Sequence, residues 1–141
     1  MAAERTRPLA LVVDDDPPVR TIETRILKGG GYDVMEASGA PEAFEMLDSG
    51  VVPDLLIADL YMPELSGEDM VRHIHATRPQ QKVLYVTGYI DRLLDERPLL
   101  RDGEAFLDKP FTANGLLEAA SLLLTQRISR DAPAKTKRRL W

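Results

Sequence analysis

Several short apolar runs in this chain end in groups that can do chemistry. Leu9–Val13 runs into Asp14-Asp15-Asp16, Leu55–Ala58 into Asp59, and Lys82–Val86 into Thr87-Gly88. Ala105–Leu107 is followed, after Asp108, by Lys109-Pro110. Carboxylates gathered at one place repel and raise each other's pKa unless a cation sits among them. Asp14 or Asp15 together with Asp59 offers hard oxygen ligands that suit Mg²⁺, with several of its waters kept. Such an ion would neutralise the acidic cluster and the oxygens of a phosphoryl group together, leaving one carboxylate free as a nucleophile. Thr87 can donate to one phosphoryl oxygen, Lys109 can pair with another, and Gly88 leaves room beside them. Phosphoryl transfer depends mostly on positioning and charge neutralisation, and this set supplies both.

The elements that must position these groups alternate five times between strand and helix. After Leu9–Val13, Asp16 is placed to cap a helix that Pro17 and Pro18 open, since proline suits a first helical turn. Val19, Ile22 and Ile26 predict its apolar face, and Gly29-Gly30-Gly31 its end. Tyr32–Ala37 reads as the second strand and Pro41–Leu47 as a helix with Ala43, Phe44 and Leu47 inward. Asp54–Ala58 is a strand covered on both faces. Ser66 caps a third helix with Met70, Val71 and Ile74 inward, closed by Pro79. Lys82–Val86 is the fourth strand, Asp91–Arg97 a short helix broken at Pro98, and Ala105–Leu107 the fifth strand. Thr112 caps a last helix whose face is Leu116, Leu117, Ala120, Leu123 and Leu124. Strand–helix alternation with short loops implies an α/β fold: a parallel sheet between two helical layers, with ligands at the carboxyl ends of its strands. Every reactive group above falls at such an end.

Composition fits one domain. The chain has 141 residues, of which 44% are apolar and 29% charged, and it has no cysteine. There is therefore no disulfide framework and no Cys-based metal site. No run approaches a membrane span, and MAAERTRP lacks the apolar core of a secretory signal, so a cytoplasmic location with no membrane partner is expected. Residues 1–126 carry 12 Lys and Arg against 22 Asp and Glu, whereas residues 127–141 carry six against Asp131 alone. An acidic body is a poor nucleic-acid binder. The reading is one domain over residues 1–126 and a basic tail over 127–141, flexible or a linker remnant.

The segments LVVDDDPPVR, LLIADLYMPELSG, VLYVTG and FLDKPFT, in that order, resemble the receiver domain of two-component response regulators, over roughly residues 8–125. The resemblance implies a flavodoxin-like, five-stranded parallel sheet in the order 2-1-3-4-5 with helices on both faces. It implies that Asp59 accepts a phosphoryl group from a histidine kinase or a histidine phosphotransfer protein. Asp14, Asp15, Asp59 and the backbone carbonyl of Tyr61 would hold Mg²⁺, or Mn²⁺ in its place. Thr87 and Lys109 would bind phosphoryl oxygens, with a cis Lys109–Pro110 peptide, and Phe106 falls at the family's switch position without a hydroxyl. Asp16 is left as a helix cap. The implied protein is a signalling module, catalysing only its own phosphorylation and dephosphorylation, either stand-alone or from a hybrid histidine kinase, and a homodimer is among its expected assemblies. Pro98 alters the helix that receivers use for dimers and targets.

Tyr61 and Tyr89, each two positions beyond a reactive residue, are expected to shield an aspartyl phosphate from water. A second class, the metal-dependent phosphohydrolases of the haloacid-dehalogenase type, also fits Asp14-x-Asp16. It wants an acidic pair downstream of the lysine, however, where only Glu118 and Asp131 remain. His73 and His75 lie two apart on a helix and cannot chelate together, which predicts packing or solvation instead.

Overall fold

The structure is a computed structural model that describes residues 6–88, 99–100, 103–125 and 135–136. Five strands form one parallel sheet: β1 (Leu9–Val13), β2 (Asp33–Ala37), β3 (Leu55–Asp59), β4 (Val83–Thr87) and β5 (Glu104–Asp108). Their order in space is β2-β1-β3-β4-β5, the order the resemblance implies. Four helices are described: α1 (Pro17–Gly29), α2 (Ala40–Asp48), α3 (Gly67–Thr77) and α4 (Ala113–Thr125). A two-residue antiparallel pair joins Leu99–Leu100 to Lys135–Thr136. The helix expected over Asp91–Arg97 and Tyr89 lie outside the described residues.

The central strands are apolar at nearly every position because both faces are covered. Leu11, Val13, Leu56, Ala58, Val83, Tyr85 and Phe106 pack with Ala43, Leu47, Met70 and Ile74 of α2 and α3. The intervening residues, Val12, Ile57, Leu84, Val86 and Leu107 among them, pack with Leu27 of α1 and Leu116, Ala120 and Leu123 of α4. Burying a side chain such as Leu or Val in this way contributes about 1.5–3 kcal/mol.

Helix ends follow the local chemistry with one exception. Ser66 Oγ accepts from the Asp69 N–H at 3.1 Å, and Thr112 Oγ1 from the Gly115 N–H at 2.9 Å. Asp16 occupies the N-cap position of α1 but makes no side-chain cap bond. Only its backbone carbonyl serves the helix, accepting from the Arg20 N–H at 2.9 Å. The apolar face predicted for α1 is also corrected. Ile22 is exposed, and the buried residues are Glu23, Thr24 and Leu27. His75 is buried with Nε2 2.9 Å from the Gln81 carbonyl oxygen, and His73 lies against the Phe44 ring, so both histidines pack.

Strand register brings the site together. Val13 pairs with Ala58, Asp59 with Val86, and Thr87 with Asp108. Asp14, Asp59, Thr87 and Lys109 therefore emerge side by side from four neighbouring strands. The start of α3 closes tightly on this edge, with the Gly67 N–H donating to the Leu60 carbonyl at 2.9 Å. A Cβ at Gly67 would overlap the Asp59 carbonyl oxygen, which is backbone and cannot rotate away. A Cβ at Gly30 would meet only the Leu117 side chain. Gly67→Ala is expected to destabilise the fold by about 1–3 kcal/mol in urea unfolding, as overpacking does, and by more than Gly30→Ala. Equal losses from the two would count against a backbone clash at Gly67.

Candidate functional site

Asp14, Asp15 and Asp59 each offer one carboxylate oxygen, and these oxygens lie within 4.8 Å of one another. Asp14 is buried, Asp59 half-buried and Asp15 exposed. Three hard oxygen donors this close match the donor type that a divalent cation such as Mg²⁺ requires. Asp14 is held on several sides. Its Oδ1 accepts from the Asp16 N–H at 2.9 Å, its backbone carbonyl from Arg20 Nη1 at 2.6 Å, and Arg20 Nε pairs with Glu36 Oε1 at 3.1 Å. The arginine thus ties the end of β1 to β2.

Lys109 reaches across from the loop after β5. Its Nζ lies 3.5 Å from Asp14 Oδ2 and 3.5 Å from Asp59 Oδ2. The Lys109–Pro110 peptide is cis, as the resemblance implies. The Lys109 N–H donates to the Thr87 carbonyl at 2.9 Å, so the lysine and the threonine are fixed relative to each other. Thr87 is fully buried at the end of β4. Phe106 is fully buried too, its ring centroid 5.3 Å from that of Tyr85. Tyr61 is exposed at the rim, and its N–H donates to Asp59 Oδ1 at 3.3 Å.

The electrostatics follow from this crowding. Burial pushes the Asp59 carboxyl above its ordinary range; Lys109 opposes the shift and the Asp14 charge adds to it. Burial alone would lower the Lys109 ammonium, but Asp59, Asp14 and Glu23 outweigh it, and its pKa lies above the usual lysine value. Glu23 was not foreseen as a site residue. Burial, reinforced by the Asp14 charge and a hydrogen bond with Asp14, pushes its carboxyl from 4.5 up to about 8. The available signal was spacing: Glu23 is four residues from both Val19 and Leu27, which places it on one helix face with them.

Residues 10–121 match the family model of the response regulator receiver domain, and the chain belongs to that family. It is 33% identical over 119 residues to the sensor kinase CckA of Brucella abortus (strain 2308), covering 83% of this chain and 12% of that protein. It is 36% identical over 124 residues to the response regulator MprA of Mycobacterium tuberculosis (strain ATCC 25618 / H37Rv), covering 86% of this chain and 53% of that protein. The chain thus spans about half or less of these relatives' length. Among solved structures, the receiver domain of the hybrid histidine kinase CckA superposes with a TM-score of 0.70 at 28% identity, over 83% of this chain and 99% of that one. A CheY-like receiver domain protein from Methanospirillum hungatei JF-1 gives a TM-score of 0.73 at 27% identity, over 84% of this chain and 94% of that one. The chain is a two-component receiver domain, and these relatives give no support to the phosphohydrolase alternative. Among the described residues no helix is long and apolar enough to cross a membrane.

The raised carboxyls set a pH dependence for the metal-free protein. A carboxyl with a higher pKa folded than unfolded takes up a proton on folding between those two values, so its contribution to stability is lost as pH rises. For Glu23 that window runs from 4.5 to about 8, and Asp59 acts in the same direction. In EDTA the protein is expected to melt at a higher temperature near about pH 5.5 than near about pH 8, and Glu23→Gln to reduce the difference. An equal slope in Glu23→Gln would show that Glu23 does not titrate in this window.

Proposed function

We propose that Asp59 is the phosphoacceptor of this receiver and that its phosphoryl donor is a histidine kinase or a histidine phosphotransfer protein. The observation that carries the reading is the convergence of Asp14, Asp15, Asp59 and Lys109 at the carboxyl ends of adjacent strands. In the transfer, an Asp59 carboxylate oxygen forms a bond to phosphorus while the phosphorus–nitrogen bond of the donor phosphohistidine breaks. The imidazole nitrogen keeps that electron pair. Asp14, Asp15, Asp59 and the Tyr61 carbonyl would hold Mg²⁺, which when bound supplies positive charge to the carboxylates and the phosphoryl oxygens together.

The chain's own groups complete the arrangement. Lys109 already bridges Asp14 and Asp59, so its ammonium stands where phosphoryl oxygens on Asp59 would need a cation. The Thr87 hydroxyl serves a further oxygen. On this reading Phe106, buried against Tyr85, reports the change at Thr87 through packing, since it has no hydroxyl to bond with. The receiver is assigned residues 1–126 and a basic segment 127–141, of which Lys135–Thr136 pairs with Leu99–Leu100. Tyr61 stands exposed beside Asp59, and Tyr89 follows Thr87 by two positions, outside the described residues. On this reading the Tyr61 ring shields the aspartyl phosphate from an in-line water, and Tyr89 is assigned the same role by its sequence position alone.

Incubation with acetyl phosphate and Mg²⁺ is expected to add one labile phosphate, read by mass spectrometry. Asp59→Ala and EDTA each should abolish it. Label persisting in Asp59→Ala, or multiple turnover of a phosphate ester, would refute the assignment. The Tyr61→Asn, Tyr89→Ala double variant is expected to lose its phosphate several-fold faster than the parent, and an unchanged rate would remove the shielding role.

A further inference from the structure

Arg20 sits in the first turn of α1, and its side chain, only 19% exposed, turns back toward the acidic strand ends. Its Nη1 donates to the Asp14 carbonyl at 2.6 Å and its Nε to Glu36 Oε1 of β2 at 3.1 Å. Its backbone N–H donates to the Asp16 carbonyl at 2.9 Å. One residue thus holds a carbonyl at each end of the Asp14–Asp16 turn. The register of β1 with β2 ends at Val13 and Ala37, and the Asp14 N–H donates to the Ala37 carbonyl at 3.2 Å. Anchored on Glu36, the guanidinium carries the connection to β2 one step further, onto the Asp14 carbonyl.

That carbonyl belongs to the peptide that leads into Asp15. Asp14 is buried, with the Asp16 N–H on its Oδ1 at 2.9 Å and Lys109 Nζ 3.5 Å from its Oδ2. Asp15 is exposed, and among the described residues its carboxylate has no hydrogen-bond or ion-pair partner. Its place is therefore set through the main chain. A peptide unit is planar, so fixing the Asp14 oxygen fixes the plane from which Asp15 departs. A guanidinium suits the task, because its rigid fork engages two acceptors at once and keeps its charge. We propose that Arg20 is a positioning residue that holds the Asp14–Asp15 peptide against β2 and so presents the Asp15 carboxylate to the cation site. The proposal rests on reading Asp14, Asp15 and Asp59 as the metal ligands. Charge alone predicts the opposite effect. A guanidinium beside a cation site repels the ion, so its removal would tighten binding, whereas loss of positioning would weaken it.

The test compares wild type, Arg20→Met and Arg20→Lys in the full chain. Arg20→Met keeps an apolar stem and loses the charge, while Arg20→Lys keeps the charge and loses the fork. In calorimetric titration with MgCl₂ both are expected to bind about ten-fold more weakly than wild type, the lower end of the loss usual for groups behind a ligand. In EDTA both are expected to exchange the Asp16 amide hydrogen faster by NMR, because the turn it closes onto Asp14 Oδ1 loosens. An Arg20→Met variant that binds Mg²⁺ as tightly as wild type, or more tightly, would overturn the proposal and leave only the charge effect. Wild-type affinity in Arg20→Lys would overturn it too, since positioning requires the fork. A lower melting temperature in EDTA with unchanged Mg²⁺ affinity would likewise reduce Arg20 to a structural residue. Should Arg20→Met fail to fold, Arg20→Lys decides alone. A wild type that binds no Mg²⁺ would sink the metal reading, and the Asp16 amide would still decide whether Arg20 orders the turn.

Discussion

Four carboxyl groups, those of Asp14, Asp15, Asp59 and Glu23, are gathered around the ammonium of Lys109 at one edge of the sheet, and the surrounding structure is arranged to hold them there. Like charges this close would separate if their backbones could move. They cannot: Asp14, Asp15 and Asp59 stand at the ends of interior strands, with main-chain bonds on both sides and hydrocarbon on both faces, and Glu23 is buried on α1. Arg20 fixes the Asp14 carbonyl, Gly67 lets α3 close on the Asp59 carbonyl, and the Thr87 carbonyl anchors the Lys109 N–H. An apolar sheet thus confines the repulsion. The unbalanced negative charge is the property that favours a cation at this place.

Much of this was legible in the residues. Strand ends are marked by an abrupt change from apolar to reactive types, and parallel topology carries those ends to one edge, so the grouping of Asp14, Asp59, Thr87 and Lys109 is legible in the residues alone. Ser66 and Thr112 declared their helix starts through side-chain oxygens, and the structure uses both. Asp16 misled because its type fits a cap, while the bond that matters runs the other way: its N–H donates to Asp14. Local chemistry cannot distinguish those cases, since the choice depends on where the Asp14 carboxylate is pulled by groups distant in sequence.

The face of α1 was misread for a related reason. Counting hydrophobic residues selected Val19, Ile22 and Ile26, yet Ile22 is half exposed while Glu23 and Thr24 are buried. Hydrophobic periodicity assumes that the surface beneath a helix is uniformly apolar. Beneath α1 this does not hold, since the buried Glu23 feels the charge of Asp14 there. Helix α4 crosses no such site, so its predicted inward residues Leu116, Ala120 and Leu123 are buried. The departure from simple amphipathicity is therefore itself a marker of the site.

The same geometry limits how an event at Asp59 can be felt elsewhere. Side chains two apart on a strand share a face, which places Thr87 on the side of β4 that carries Tyr85. Tyr85 is opposite Phe106 in the β4–β5 register, and the two rings touch. A shift of the Thr87 hydroxyl toward a phosphoryl oxygen would alter the space next to this aromatic pair before it affected the opposite face, where Leu84 and Val86 meet α4. Because Phe106 has no polar tip, whether it moves depends on filling volume at interior packing density, not on gaining a hydrogen bond. On the proposed reading, the readout would be a packing choice between two apolar arrangements, with a sensitivity set by how closely Tyr85 and Phe106 fill the space on this face of the sheet.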